Sequence, residues 1–511
     1  MSDVVVAGSG AAGLSAAIAA AEAGARVTVL EATSLVGGTT ALSSGAMWVP
    51  ANHRHAGDDI RAGRRYLEAL DLGDTSAAAR DRFLDEAPRV TKWLEDVTGL
   101  DLSVVPLPDT HAELPGAAAT PGRTLEPGRR TVPAPIIAMV RPTPAGRPPM
   151  TLAELLTGGV PAAELERRRV DGVLTGGRAL ITALLTAALD AGVEIRTSAR
   201  ATRLRTGGVM VGDELIPGRI VLATGGFERD PELSAAFLPL RPDGLIGAPG
   251  ARGDGLRMAM AAGARLGSMA DAWWCPTIKV PGVPGSDQPH HRILLAERAR
   301  PGAVMVDQDG RRFTDESQNY CDVGRTLHAF DAGFCFPRNP SWLIFDAEHR
   351  ARYPVGPLRP TDPNPPWLHH AATIGELAHV IDVPEKSLTA TVQTFNEGAG
   401  RGADPAFGRG TRAFGRATGD PQAPHPTLRG LTEPPYFAVA VHAGLGGTKG
   451  GPRTDPDGRV QHVLDATVPG LYAAGNAAAS PFGLAYPGMG ATISLALTFG
   501  TLAGRAAATD R

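Results

Sequence analysis

The sequence predicts an α/β fold organised around a parallel sheet, and three stretches carry that expectation. Val4-Val5-Val6-Ala7 is a short apolar run read as a buried parallel strand. It runs into Gly8-Ser9-Gly10-Ala11-Ala12-Gly13 and an alanine-rich helix through Ala23. A second apolar run, Arg26 to Leu30, ends at Glu31. Strand, glycines, helix, strand and an acid about twenty residues beyond the glycines form the dinucleotide-binding fingerprint of a Rossmann-like domain. Gly8 permits the tight turn, Gly10 lets a pyrophosphate approach the backbone, and Gly13 lets helix and strand pack closely. The helix start, with Ala12, offers unpaired N–H groups to phosphates, and Glu31 can accept hydrogen bonds from a ribose.

The next residues point to a flavin. Gly37-Gly38-Thr39-Thr40 and Ser43-Ser44-Gly45-Ala46 come directly after Glu31, where a flavoprotein cradles the pyrophosphate and ribityl chain of FAD. On these motifs the chain resembles the fumarate reductase/3-ketosteroid dehydrogenase family of FAD enzymes. Met47-Trp48-Val49-Pro50-Ala51-Asn52 is most similar to the ketosteroid branch. The fold implied is a Rossmann-like FAD-binding domain with an inserted α+β substrate (cap) domain.

At 511 residues the chain has room for two to four domains by length alone. A formal net charge of −3 and a pI near 6.5 argue against a nucleic-acid or anionic-membrane surface. Three cysteines, Cys275, Cys321 and Cys335, have no metal-ligand spacing and make a disulfide framework unexpected, which suits a reducing cytoplasm. No basic region precedes the first apolar run, and no segment reaches about twenty uninterrupted apolar residues, so no membrane span is expected.

Ala56 to Thr98 reads as helices, with apolar residues from Thr75 to Val97 at helical spacing. Pro106 to Arg169 is rich in proline and glycine, so its regular elements should be short; in the ketosteroid branch this stretch contributes to the substrate mouth. Thr175-Gly176-Gly177-Arg178 precedes a helix over Leu180 to Ala191, then a strand (Val193 to Thr197), a β-ribbon, and the run Arg219 to Leu222. Ala223-Thr224-Gly225-Gly226 ends that run and resembles the flavoprotein segment whose glycines pass close to the adenosine. Gly253-Asp254-Gly255, with a helix from Met258 to Ala264, matches another family element. The resemblance divides the chain into an FAD-binding domain, residues 1–275 and 437–511, and a cap domain, 276–436. Strands such as Ala303 to Asp307 and helices such as Ile374 to Asp382 and Leu388 to Glu397 are expected in the cap.

Gly446-Gly447-Thr448-Lys449-Gly450-Gly451 resembles the ketosteroid branch's Gly-Thr-Lys-Gly-Gly pattern. A second dinucleotide site is excluded there, because Pro452 and the turn-rich Asp455-Pro456-Asp457-Gly458 supply no following helix. Leu471-Tyr472-Ala473-Ala474-Gly475-Asn476 reads as a strand ending at a Gly-Asn pair, with Asn476 suited to the ribityl hydroxyls. Ala491 to Ala508 reads as one apolar helix whose first turn, with Thr492 and Ile493, would direct N–H groups and a positive dipole at the flavin N1 and C2 carbonyl.

Only six tyrosines occur. Arg312-Phe313-Thr314-Asp315-Glu316-Ser317-Gln318-Asn319-Tyr320 resembles the segment carrying the catalytic base of ketosteroid dehydrogenases, and Tyr486-Pro487-Gly488-Met489-Gly490 resembles their ketone-binding segment. The resemblance implies that Tyr320 removes the proton beside the carbonyl, that Tyr486 hydroxyl and Gly490 N–H hold the carbonyl oxygen, and that hydride passes to flavin N5. The branch also carries a further tyrosine beside the base. Thr110 stands at its place in Asp109-Thr110-His111, and no tyrosine lies between Tyr66 and Tyr320. Either Thr110 or His111 is the substitute, or the substrate is not a 3-ketosteroid. His290-His291 and His369-His370 lack a carboxylate at ligand spacing, so no metal is expected.

The activity implied is FAD-dependent α,β-desaturation of a cyclic ketone, with 1,2-dehydrogenation of a 3-ketosteroid as the type reaction. The alternatives are a desaturase of a smaller ring, a fumarate or enoate reductase of the same fold, and a non-catalytic flavin-binding protein. The partners implied are a small apolar cyclic ketone and an external, quinone-like electron acceptor.

Overall fold

In the computed structural model, which describes residues 3–73, 75–143, 147–240, 242–281, 290–464 and 466–510, the chain is built on two principal sheets. The first is parallel, in the order Leu471–Ala473, Arg219–Leu222, Asp3–Ala7, Arg26–Leu30, Glu194–Arg196. Its central strand is apolar throughout Val4 to Ala7 because elements cover both faces. One cover is the pair of helices Ala11–Glu22 and Ala491–Thr509. Gly500 and Gly504 explain how closely these two approach: a methyl group on either would stand 2.4 Å from the Ala12 carbonyl oxygen or 2.1 Å from that of Ala16. The small residues of the C-terminal helix are thus packing residues.

The second sheet has seven strands and is mostly antiparallel. His290–Ile293, Ala272–Val280, Tyr436–Thr448, Ser341–Phe345 and Ala303–Val306 lie in that order, and Gly244–Leu245 and His369–Ala371 also pair with Tyr436–Thr448. Ile278, Leu343, Phe345, Val439 and Val441 bury one face. The helices Ile374–Val380 and Glu385–Gly400 cover the other, through Leu377, Leu388, Val392 and Phe395.

Several boundaries differ from the sequence expectation for a shared reason. The helix expected from Leu180 begins at Gly176, and the one expected from Met258 begins at Asp254. In both, glycines occupy the first turn because other groups press against them: the Thr40 carbonyl oxygen lies 1.8 Å from where a Gly177 Cβ would be, and Thr224 Oγ1 lies 2.4 Å from that of Gly255. Likewise the 13-residue strand Tyr436–Thr448 continues through Gly444-Leu445-Gly446-Gly447. Gly444 sits opposite Gly244 and against Thr277, where a methyl group would come within 2.5 Å of the Gly244 carbonyl oxygen. Glycine read locally as a breaker is here the condition for close approach.

The expected 275/276 boundary falls inside the strand Ala272–Val280, and residue 437 follows the first residue of Tyr436–Thr448. The irregular stretch contains the strand Thr124–Pro127, which joins Leu102–Val104 and Met47–Trp48 in a small sheet, and three short helices. Among the described residues, no helix is long and apolar enough to cross a membrane.

Candidate active site

The expected cofactor residues gather at the carboxyl edge of the parallel sheet. Gly8, Glu31, Ala223 and Asn476 each follow the end of one of its strands, the position where open α/β sheets bind ligands. The glycines divide by what surrounds them. A Cβ on Gly8 would stand 2.2 Å from the Ala223 carbonyl oxygen, and one on Gly13 would stand 1.9 Å from that of Gly8. Those two hold strand, turn and helix together. Gly10, Gly38 and Gly225 instead face open room, with nothing closer than 3.6, 3.9 and 3.8 Å to such an atom. Backbone that a side chain would not crowd, beside the first turn of a helix, fits the diphosphate of a dinucleotide.

Ser9 knits this cradle. Its hydroxyl donates to Glu31 and accepts from the Gly37 N–H at 3.0 Å. Glu31 also accepts from Thr33 N–H at 2.9 Å and Thr33 hydroxyl at 2.8 Å, so a carboxylate with about four acceptor positions keeps one for a ribose. Thr40 Oγ1 accepts from Ala11 N–H at 3.2 Å, and Thr39 Oγ1 accepts from Ala248 N–H at 2.9 Å. Gly45, at φ +72°, lies against Gly176, next to Ser44. Asn476 Oδ1 accepts from Trp273 Nε1 at 3.0 Å, and its Nδ2 lies against Gly447. Thr492 and Ile493 form the first turn of the C-terminal helix, where Ile493 N–H bonds back to the Gly490 carbonyl at 2.9 Å. The donors and the open glycine backbone fit FAD.

Tyr320 and Tyr486 come from different parts of the fold, yet their hydroxyls hydrogen-bond to each other, with ring centroids 5.1 Å apart. Gly490 N–H donates to Tyr486 hydroxyl at 3.1 Å. Gly490 caps the C-terminal helix at φ +92°, and a Cβ there would stand 2.3 Å from the Ala46 carbonyl. Only glycine combines that conformation with that contact. Tyr486 is buried and Tyr320 half-buried, beside Ala46, Leu295, Phe414 and Met489. Burial, then the neighbouring Tyr486 phenol, raises the pKa of Tyr320 well above the ordinary tyrosine value of about 10. Burial raises that of Tyr486 too, against hydrogen bonds from Tyr320 and Gly490 that favour its ionised form.

Each tyrosine has its own support. Tyr320 opens the helix Tyr320–Thr326, capped by Asn319, whose side chain accepts from Asp322 N–H at 3.0 Å. The segment before it is held by buried arginines. Arg312 pairs with Glu316 at 2.7 Å and Asp404 at 2.9 Å, Arg409 reaches Glu316 at 3.2 Å, and Arg298 donates to the Glu316 and Gln318 carbonyls. Tyr486 packs edge-on against Trp273, with ring centroids 5.9 Å apart, and belongs to the apolar cluster that includes Trp48, Phe83 and Phe482. Trp48 stacks on Phe83 at 6.1 Å, Phe482 meets Phe83 edge-on at 5.2 Å, and Gly488 leaves room for the Trp48 ring.

Thr110 and His111 bridge the two supports. Thr110 hydroxyl donates to the Tyr486 carbonyl, and Thr110 N–H bonds the Pro487 carbonyl at 3.2 Å. Tyr66 hydroxyl donates to the same Pro487 carbonyl at 2.8 Å and accepts from His111 N–H at 3.1 Å. His111 Nε2 lies 2.8 Å from Asp322 Oδ2, in the helix that Tyr320 begins. Thr110 therefore fixes the backbone of Tyr486. Beneath it, Asp109 joins Trp48 Nε1 at 2.7 Å and Arg123 at 2.7 Å, and Arg123 continues to Asp58. Tyr66, Asp109 and Arg123 were missed in the sequence; the scarcity of tyrosine was the one signal for Tyr66. His328, tilted against Trp274 with ring centroids 4.0 Å apart, is a buried histidine held down to about 4, first by burial and then by Arg325. Among the described residues, no three His, Cys, Asp or Glu side chains are grouped to hold a metal, and Cys275, Cys321 and Cys335 are free.

The fold and cradle define an FAD-dependent oxidoreductase, and residues 3–493 match the FAD binding domain family. The chain belongs to that family. It is 38% identical to 4-oxocyclohexanecarboxylate 2-dehydrogenase of Sinomonas cyclohexanicum, over 98% of this chain and 92% of that one. It is 34% identical to 3-oxosteroid 1-dehydrogenase of Mycolicibacterium smegmatis, over 98% and 96%. The crystal structure of 3-ketosteroid delta1-dehydrogenase from Sterolibacterium denitrificans, in complex with 1,4-androstadiene-3,17-dione, superposes with a TM-score of 0.92 at 31% identity, covering 100% of both chains. The enzyme thus acts on CH–CH groups and shares the ketosteroid dehydrogenase fold.

Proposed function

We propose that this enzyme desaturates a cyclic ketone between the carbons α and β to its carbonyl, with a 3-ketosteroid as the type substrate. The observation that carries this reading is the Tyr320–Tyr486 hydroxyl pair, with Gly490 N–H on the Tyr486 oxygen. A ketone oxygen placed there takes two hydrogen bonds, from Tyr486 and from Gly490. Each bond strengthens as the oxygen gains enolate character, an effect worth a few kcal/mol per donor. Tyr320, on the half-buried side, then accepts the α-proton in its ionised form and becomes the neutral phenol. FAD supplies the acceptor for the hydride that leaves the neighbouring carbon, so that one C=C bond forms as two electrons depart. Those electrons pass on to an external acceptor of the quinone class. In this reading, residues 1–275 and 437–511 hold the cofactor and the ketone oxygen, and 276–436 supplies the base. The cofactor contacts are Gly8 to Gly13, Glu31, Gly38 to Gly45, Ala223 to Gly225, Asn476, Thr492 and Ile493. Three free cysteines suit a cytoplasmic location.

A smaller ring is the second reading, favoured by the 38% identity to an enzyme named for 4-oxocyclohexanecarboxylate. Fumarate reduction is disfavoured. Three arginines that hold the base segment, Arg298, Arg312 and Arg409, are committed to protein acceptors rather than to a carboxylate substrate. Anaerobic mixing of the FAD-loaded enzyme with 4-ene-3-ketosteroids and 4-oxocyclohexanecarboxylate tests these readings together. Bleaching of the flavin by a ring ketone supports desaturation, and the faster of the two classes names the ring. Turnover of fumarate with no bleaching by any ketone would overturn it.

A further inference from the structure

Beyond the expected cofactor residues, one buried group stands beside the cradle with part of its hydrogen-bonding capacity unused. Glu228 follows the Ala223-Thr224-Gly225-Gly226-Phe227 turn and is 3% exposed. Its Oε2 has no hydrogen-bond partner among the described residues. The groups around the carboxyl come from three segments of the cradle wall. A Cβ on Gly226 would stand 2.4 Å from Glu228 Oε2 and 2.3 Å from Thr448 Oγ1. One on Gly247 would stand 2.8 Å from Glu228 Oε1 and 3.3 Å from Thr39 Oγ1. Glycine at both positions leaves the carboxyl wedged between the Thr39 turn, the Ala223–Gly226 turn and the end of the long strand.

A charge in this place has little to balance it. The neighbouring cation is Arg229, whose guanidinium donates to the Gly247 carbonyl at 3.1 and 2.5 Å rather than to Glu228, with Arg252 and Arg141 flanking it. Burial outweighs Arg229, the Glu228 backbone and Thr448, and pushes this carboxyl up to about 7. A protonated carboxyl is both donor and acceptor, whereas an ionised one can only accept.

We infer that Glu228 is a cofactor-binding residue that acts in its neutral form and donates its carboxylic proton to bound FAD. The inference rests on FAD as the cofactor and is independent of which substrate is oxidised. FAD affinity then carries the titration of one carboxyl. Binding favours the protonated form, so affinity is full below pH 7 and falls as pH rises through the value of the free site, by up to about tenfold per pH unit.

The test is titration of deflavinated full-length protein with FAD from pH 6 to 9, followed by flavin fluorescence. Glu228→Gln keeps a neutral donor, so its Kd should stay close to the pH 6 wild-type value and lose the alkaline rise. Glu228→Ala should weaken binding at pH 6 by about tenfold, the scale of one hydrogen bond. Parallel pH profiles for wild type and Glu228→Gln would overturn the inference, as would wild-type affinity in Glu228→Ala at pH 6. Should the alanine variant fail to fold, the wild type against Glu228→Gln comparison decides alone. Altered ketone turnover at unchanged FAD affinity would count against it too, because the role assigned is binding.

Discussion

The two tyrosines share one hydrogen bond but are held by opposite kinds of chemistry. Tyr486 packs edge-on against Trp273, within the apolar cluster that includes Trp48, Phe83 and Phe482, with its backbone pinned by Thr110, and Gly490 supplies the N–H. Tyr320 stands at the end of a segment fastened by Arg298, Arg312, Glu316, Asp404 and Arg409, all buried or nearly so. Apolar packing tolerates small errors and is insensitive to pH. A buried ionic network demands every member, because a charge left without its partner is costly. The side expected to bind the oxygen is therefore set mainly by packing, with the Asp109–Arg123–Asp58 ion pairs behind Trp48, and the side expected to move the proton is set by charge.

Removing the two hydroxyls separates their roles most strongly. Tyr320→Phe should lower kcat by roughly 10²-fold or more while ketone binding stays nearly intact, since a positioned base contributes about 10² to 10⁴. Retention of more than about a tenth of the wild-type rate, a loss below about 1.4 kcal/mol, would remove Tyr320 from that role. Tyr486→Phe should weaken ketone binding and lower kcat together, by roughly 10² in rate. Equal effects of the two variants on binding would erase the distinction drawn between them. In the wild type, the raised pKa of Tyr320 means that kcat should climb from pH 7 toward alkaline pH as the base form becomes populated.

The supports can be broken separately. Glu316→Gln leaves Arg312 and Arg409 facing an uncharged partner, and should cost about 3 kcal/mol or more of stability by urea unfolding. Phe482→Ala should cost a similar amount, about 3 to 5 kcal/mol, through the cavity it leaves. The contrast lies in salt and pH: Phe482→Ala removes no charge and should show the wild-type pH profile of stability, and a changed profile there would show that the ring also holds the Asp109–Arg123 pair behind Trp48.

Acid acts through buried histidines. His328 and His349 lie in the 276–436 region, and each is held down to about 4, by burial first of all. An unfolded histidine titrates near 6.5, so the unfolded chain binds more protons between pH 6.5 and 4. Stability is full above pH 6.5 and is lost as pH falls through that window. His328→Phe should flatten part of the loss in melting experiments across pH 4 to 7; an unchanged acid slope would show that His328 is protonated without cost. The smallest effect is expected at the bridge. Thr110→Val removes one hydroxyl from the Tyr486 carbonyl and should cost about 1 kcal/mol, with FAD binding retained. A tyrosine at 110 has no room, since Thr110 is fully buried between Tyr66 and the Tyr486–Pro487 backbone.

The cofactor cradle was legible in the sequence because its parts are local. Gly8, Gly10 and Gly13 act within one turn of one another, and the distinction between glycines that pack and a glycine that faces a ligand followed from their order alone. Glu31, Asn476 and the C-terminal helix followed for the same reason, each being the end or start of an apolar run. What the tertiary structure decided is every relation between distant segments. Tyr320 and Tyr486 are 166 residues apart, and their meeting depends on a second sheet docked through the strands Ala272–Val280 and Tyr436–Thr448. The glycine-rich end of that long strand carries no strand signal in the sequence, since glycine reports close approach only once the neighbour is known. Thr110 and His111, expected as substitutes at the base, join the two supports, and no local pattern marks the part that Tyr66, Asp109 and Arg123 take in them. Single buried polar residues carry no periodic signal. Their partners are chosen by which chain segments the core brings together, and that choice is made only when the sheets pack.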